Sequence, residues 1–292
     1  MKDQFNKGLL LTSLGSFWWG FIGVIYFQYV SFIGHIELVV HRCLWTAVML
    51  LLTTTFFSKW SLFKRIIKNK NYLFGLFISG FLIFINWAVW IYAVATERII
   101  DASFGYFIMP IISVLLGYIF FKEKLNKKRI FSIILVSISI LILIFFNLKS
   151  LPWVGLIVAF SWAFYNLIRK KIDVDTDIGL LIESLYILPF AIVVFYLITK
   201  AGVNDFNFLN PGLSLFLILA GPMTVIPLFL YVRGVELIGL GPTGMIFYIT
   251  PTLQFILGYF YYNEDFSIIK FVSFIIIWIA VIIYLKDLYE TN

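Results

Sequence analysis

Charge is scarce in this chain. Asp, Glu, Lys and Arg make up 13% of its 292 residues, about half the share of an average soluble protein, while 62% are hydrophobic and the mean hydropathy is +1.01. A soluble domain of this length cannot hide so much apolar surface, so the water-soluble classes are excluded and a bilayer becomes the solvent. Histidine is nearly absent: His35 and His41 are the two in the chain, too few for a histidine-rich metal cluster. One cysteine, Cys43, excludes an internal disulfide. No glycine-rich phosphate loop ending in Lys-Ser or Lys-Thr occurs, and no soluble domain is left over to hydrolyse a nucleotide. These absences point away from an enzyme, apart from an intramembrane acid–histidine pair built on Glu37 and His41, and imply no cofactor.

Long apolar runs are what the chain has in plenty. Spanning the hydrocarbon takes about 20 apolar residues per helix, and runs of that size fall at roughly 8 to 29, 35 to 57, 72 to 95, 101 to 121, 130 to 147, 152 to 170, 178 to 199, 211 to 235, 241 to 262 and 267 to 286. They are too long and too continuously apolar for the alternating strands of a membrane barrel, so the expectation is an all-α integral membrane protein with ten transmembrane helices. The first run follows Lys2 and Lys7 as a signal peptide would, but it is longer than such a core. Its end, "YFQYVSF", is bulky where a cleavage site needs small residues.

Two stretches repeat. "FGYFIMPIISVLLGYIFFKEKL" from Phe104 and "MIFYITPTLQFILGYFYYNEDF" from Met245 align Pro110, Gly117, Tyr118 and Glu123 with Pro251, Gly258, Tyr259 and Glu264 at an offset of 141. Gly8 with Gly155 and Glu37 with Glu183 give offsets of 147 and 146. The unit is therefore five helices long, residues 1–149 and then 150–292. An odd number of spans makes the second unit cross the membrane the other way, giving two inverted five-helix repeats. With a cytoplasmic N-terminus, seventeen basic residues fall on the inner side against Arg98, Lys149, Lys200 and Lys270 outside, with Arg42 inside a span. This positive-inside bias places both termini in the cytoplasm. The net charge of +7 follows from these loops and from anionic lipid, with no nucleic-acid partner.

The stretches "WWG", "ELVVHRCLW" (37 to 45), "NWAVWIYAV" (86 to 94), "PLFLYVRGVE" (227 to 236) and the two copies of the repeat motif carry a resemblance covering nearly the whole chain in matching order. It resembles the RarD family, within the EamA part of the drug/metabolite transporter superfamily. That resemblance implies two inverted five-helix halves around a central pathway and transport across the bacterial cytoplasmic membrane. The chain departs from the family's pattern at Gly23 and Gln28, where a proline and then a lysine are usual, and at Met109, where asparagine is common.

Candidate cargo contacts come from polar, aromatic and helix-disrupting residues inside the spans. Ser103, Tyr106, Pro110, Ser113 and Gly117 share one helix face, as do Gly244, Phe247, Pro251, Gln254 and Gly258. Each proline removes a backbone donor, which frees carbonyls near residues 106 and 247 to line a cavity or marks a packing kink. Trp19 and Tyr26, Asn86 and Trp90, Trp162 and Asn166, and Tyr231 and Tyr248 complete the set; their rings suit a flat, cationic or amphipathic cargo. Gly221, Pro222, Thr224 and Pro227 predict a broken eighth span.

Ionisable residues inside spans usually pair or line water. Glu37 and His41, one turn apart with Arg42 beside them, are open to three roles: a structural pair, a gate, or a proton-coupling site. Glu183 is the symmetry mate of Glu37. Glu97 with Arg98, and Arg233 with Glu236, read as interfacial anchors or gate pairs. The fifth and tenth spans read as peripheral support or a dimer face, so a monomer or homodimer is expected. The function expected is a secondary carrier of small metabolites, amino-acid-like or amphipathic compounds, by alternating access and as an exporter, with a proton or counter-substrate as driver. An uptake permease or exchanger of the same fold is the alternative, then a channel.

Overall fold

The structure is a computed structural model that describes residues 2–95, 99–147, 153–172, 174–207, 209–261 and 268–291. Glu97, Arg98, Lys149, Glu264 and the Ser103 side chain lie outside the described residues. The elements within them are helical: α1 (Lys2–Phe17), a π-helical turn (Trp18–Ile22), α2 (Gly23–Tyr29), α3 (His35–Phe56), α4 (Trp60–Ile66), α5 (Lys70–Ala95), α6 (Ile99–Phe121), α7 (Lys127–Asn147), α8 (Trp153–Lys171), α9 (Thr176–Lys200), α10 (Pro211–Ile238), α11 (Leu240–Ile246), α12 (Ile249–Phe260) and α13 (Ile268–Thr291). Among the described residues, seven stretches are long and apolar enough to cross a membrane: Asp3–Tyr29, His35–Phe56, Lys70–Ala93, Lys127–Phe146, Thr176–Lys200, Pro211–Ile238 and Ile268–Thr291, with Gly105–Phe121 a shorter one. A helix closes all its backbone hydrogen bonds within itself, which is why these sequences take that form in lipid.

Large apolar side chains point outward. Phe56, Phe74, Phe145, Phe190 and Phe260 are exposed, whereas Ser16, Asn86, Asn166, Arg169 and Glu183 are buried. That is the distribution of a bundle whose exterior solvent is hydrocarbon. The principal packings are α1 on α10, α5 on α8, α3 on α10, α9 on α5, α6 on α8, α12 on the π turn, α3 on α9, α6 on α11, and α7 on α13. Arg129 at the start of α7 donates from Nε to Asp287 near the end of α13 at 2.9 Å, and Asn126 donates to the same carboxylate at 2.6 Å. Lys59, between α3 and α4, meets Asp177 at 2.6 Å and Asp175 at 3.5 Å. Partial burial works against the Lys59 charge, yet the two carboxylates outweigh it and hold the amine above its ordinary range.

Two backbone expectations are corrected. The eighth span is unbroken: α10 runs from Pro211 to Ile238 with Pro222 and Pro227 inside it. The two prolines remove the amides that would serve the Ile218 and Met223 carbonyls, yet the helix runs on through both. The break falls in the ninth stretch, between α11 and α12. Pro251 has no amide to give the Phe247 carbonyl, and that carbonyl accepts from Thr250 N at 2.9 Å in a tighter turn. The π turn in the first stretch was not foreseen. It sits where Gly20 lies against Thr250, close enough that a Cβ on Gly20 would be 2.9 Å from the Thr250 carbonyl. Thr250 Oγ1 donates to the Ser16 carbonyl at 2.9 Å, which serves a backbone acceptor beside the altered hydrogen-bond register.

Candidate functional site

A cavity of about 70 Å3 opens between the π turn, α2, α3, α5, α6, α8 and the α11–α12 break. That is room for several waters or a small group. Trp19, Gly23, Val24, Phe27, Arg42, Asn86, Trp87, Trp90, Tyr106, Trp162, Phe247, Thr250 and Gln254 line it. Trp19 reaches it from the π turn and meets Trp162 edge-on at 5.1 Å between centroids and Phe247 at 6.1 Å. Tyr106 stands 5.7 Å from Phe247, and Phe27 stands 5.6 Å from Trp90. Aromatic rings at such spacings form a stiff wall with little rotamer freedom to lose. Asn86 donates its amide to the Val158 carbonyl at 2.9 Å and to Ser161 Oγ at 3.1 Å, which ties α5 to α8 behind the wall.

Arg42 supplies the charge. It is 7% exposed, its Nε donates to Thr224 Oγ1 at 3.0 Å, and its guanidinium carbon lies 4.5 Å from the Trp87 ring and 5.2 Å from Phe27. Among the described residues no carboxylate lies within ion-pair distance of it.

Of the residues expected from sequence, Trp19, Asn86, Trp90, Tyr106, Trp162 and Gln254 come together here, with Arg42 beside them. The others do not line the cavity. Tyr26 turns its hydroxyl to the Phe216 carbonyl at 2.8 Å, and Tyr248 gives its own to the Phe107 carbonyl at 2.8 Å. Tyr231 packs behind Trp19 and Trp162, with its hydroxyl on the Thr243 carbonyl at 3.3 Å. Asn166 donates back to the Trp162 carbonyl at 2.8 Å. Pro110 packs against Gly244, where a Cβ would be 3.0 Å from the Pro110 carbonyl, and Pro251 forms the break itself. Of the family departures, Gly23 lines the cavity, Met109 is buried and accepts from Ser113 Oγ at 3.2 Å, and Gln28 is exposed at the end of α2.

Glu37 and His41 sit away from the cavity. The Glu37 carboxylate accepts from Asp205 N at 2.8 Å and Phe206 N at 3.1 Å, which pins the α9–α10 loop. His41 Nε2 lies 3.4 Å from Glu37, and its Nδ1 accepts from Trp45 Nε1 at 3.1 Å. Glu183 accepts from Ser79 at 2.6 Å and Tyr165 at 3.2 Å, with Arg169 Nε at 3.5 Å. Arg233 pairs with Glu236 at 2.6 Å, and Glu236 in turn accepts from Thr176 at 2.7 Å. Glu123 caps α11 by accepting from Leu240 N at 2.8 Å and Gly241 N at 2.9 Å, with Lys170 Nζ at 3.8 Å. The first copy of the repeated motif thus ends on the helix that opens the second.

Phe247, named from sequence on the face it shares with Gln254, also lines the cavity, whereas Val24, Phe27, Trp87 and Thr250 were not on the sequence-derived list. Trp19, Gly23 and Phe27 recur every four residues on one helix face, a period that would have found Phe27. Thr250 carries no such signal. A larger groove of about 250 Å3 between α3, α5 and α9 is apolar, and its walls include the exposed Ile36 and Phe190. It lacks the guanidinium and carboxamide groups of the central cavity.

The chain matches the EamA-like transporter family over residues 6–145. It is 33% identical to Protein RarD of Escherichia coli (strain K12) over 289 residues, 99% of this chain and 97% of that protein. It is also 33% identical to the uncharacterized transporter YojE of Bacillus subtilis (strain 168), over 96% of this chain and 93% of the other. A solved crystal structure at 11% identity superposes with a TM-score of 0.73, covering 96% of this chain and 97% of its own, and shares the fold. With the helical bundle, its apolar exterior and these relatives in agreement, the chain belongs to the RarD family of EamA-type transporters, multi-pass membrane proteins of bacteria and not enzymes.

Proposed function

We propose that this transporter is a secondary carrier of small metabolites built as ten spans in two inverted repeats, residues 1–149 and 150–292, with both termini cytoplasmic. It works by alternating access, in the export direction, driven by a proton or a counter-substrate. The observation that carries the reading is a polar-aromatic cavity walled by both proposed repeats, Trp19, Arg42 and Asn86 from one and Trp162, Phe247 and Gln254 from the other. A site between inverted halves opens to either face when the halves exchange conformations.

The helix pairings support the repeat. Exchanging α1 for α8, α3 for α9, α5 for α10, α6 for α11–α12 and α7 for α13 turns α1 on α10 into α8 on α5. It likewise turns α3 on α10 into α9 on α5, and α6 on α8 into α12 on the π turn, while α3 on α9, α6 on α11 and α7 on α13 map onto themselves. Each of these is an observed packing. Two tie points serve as gates. At one end Glu123, Lys170, Thr176, Arg233 and Glu236 bind the ends of α6, α8 and α10 to the starts of α9 and α11. At the other, Glu37 holds the α9–α10 loop.

Counterflow tests the proposal. Proteoliposomes loaded with an unlabelled amino-acid and organic-acid mixture should take up the labelled form transiently above equilibrium, with a rate that saturates. Simple equilibration without saturation would make the protein a pore.

A further inference from the structure

We infer that the central cavity selects an anion: the cargo carries a carboxylate or similar group that seats on the Arg42 guanidinium, with its flat apolar part against Trp19, Trp90 and Trp162. This rests on the carrier reading and narrows its substrate class.

The argument begins with the inventory of buried charge. Removing a guanidinium from water is unfavourable unless its charge and donors are met. Arg42 spends one of five donors on Thr224 and shares its charge with the Trp87 and Phe27 faces. The rest of the fork borders the cavity that Arg42 lines.

The buried acids do not compete for it. Glu37 is committed to two loop amides, Glu183 to Ser79, Tyr165 and Arg169, and Asp287 to Arg129 and Asn126. Among the described residues the cavity lining contains no carboxylate. A planar fork with unspent donors in a low-dielectric pocket is complementary to a carboxylate, which it can hold bidentately. A cationic cargo, which the aromatic content alone would suit, meets repulsion here, because the cation in this aromatic site is the protein's own.

The test uses three probes sharing one ring: benzoate, benzylamine and benzyl alcohol, each titrated into the purified full-length protein in nanodiscs at low ionic strength and read by thermal stabilisation and tryptophan quenching. Benzoate should bind saturably, with benzylamine and benzyl alcohol weaker by about tenfold or more, the scale expected for losing hydrogen bonds to a charged group. Arg42→Gln should erase that preference, whereas Phe56→Leu, on the exposed outer face of α3 away from the cavity, should keep it. The wild-type ranking decides the matter even if Arg42→Gln fails to fold. No saturable benzoate binding, benzylamine binding as tightly as benzoate, or an intact benzoate preference in Arg42→Gln would each overturn the inference. Counterflow of the same probes separates the two levels. Benzoate that binds without counterflow removes the carrier reading and leaves the anion site, while counterflow of benzylamine in preference to benzoate does the reverse.

Discussion

Glu37 and Glu183 occupy matching places in the repeat and end in different company. One carboxylate holds two loop amides and the other sits in a side-chain network with Ser79, Tyr165 and Arg169. The sequence marks both as buried acids that need partners, yet the partners come from residues 168 and 104 positions away, which no local pattern discloses. The same holds for Tyr26 and Tyr248, whose hydroxyls end on carbonyls of other helices. Glu37→Ala should strip the loop of its anchor and destabilise the protein by about 1.5–3 kcal/mol, the scale for hydrogen bonds to a charged group. Thermal unfolding in detergent and faster amide exchange at Asp205 and Phe206 would register it. Gly179 makes a sharper case. A Cβ there would run into the fully buried Arg169 guanidinium, so Gly179→Ala should cost about 1–3 kcal/mol as overpacking. Gly212→Ala, whose nearest neighbour would be Asn210 Oδ1 at 3.8 Å, should be neutral or slightly stabilising in the same assay.

Helix ends were legible where capping and charge mark them. The run expected from 35 to 57 is α3, His35–Phe56, and the run expected from 211 begins at Pro211, where Asn210 Oδ1 accepts from Leu213 N at 3.2 Å. Breaks were not legible, because a proline inside a run does not by itself say whether the helix ends there. The helix α10 runs on through Pro222 and Pro227, whereas at Pro251 the chain tightens into a turn. The π turn at Trp18–Ile22 depends on Thr250 in a helix of the other repeat, and α4 lies in a loop read only as basic. Glu123 shows how a motif residue acts on a distant element. By capping Leu240 and Gly241 it fixes α11, with its negative charge at the helix's positive end. Glu123→Ala should raise hydrogen exchange across Leu240–Ile246 while leaving α3 unchanged. Equal protection of α11 in the variant and the parent would remove Glu123 from the tie point.

At the scale of the molecule, the solvent, the helical class and the family were readable from low charge, apolar runs and the ordered motifs. The cavity was readable in part: Trp19, Trp90, Trp162, Asn86 and the Phe247–Gln254 face stand out, but Trp87 carries no signal of its own and Thr250 reaches the cavity just past the α11–α12 break, a three-dimensional consequence. The proposed alternating access requires that one cavity between two inverted halves open to each side of the membrane in turn. Val24 lines that cavity and the chain's one cysteine, Cys43, is buried, so Val24→Cys in a Cys43→Ser background offers a single thiol at the site. Labelled with a membrane-impermeant maleimide in right-side-out and in inverted vesicles, this thiol should react from both faces, and saturating benzoate should slow the reaction on both. Reaction from one face alone, with and without benzoate, would contradict the account.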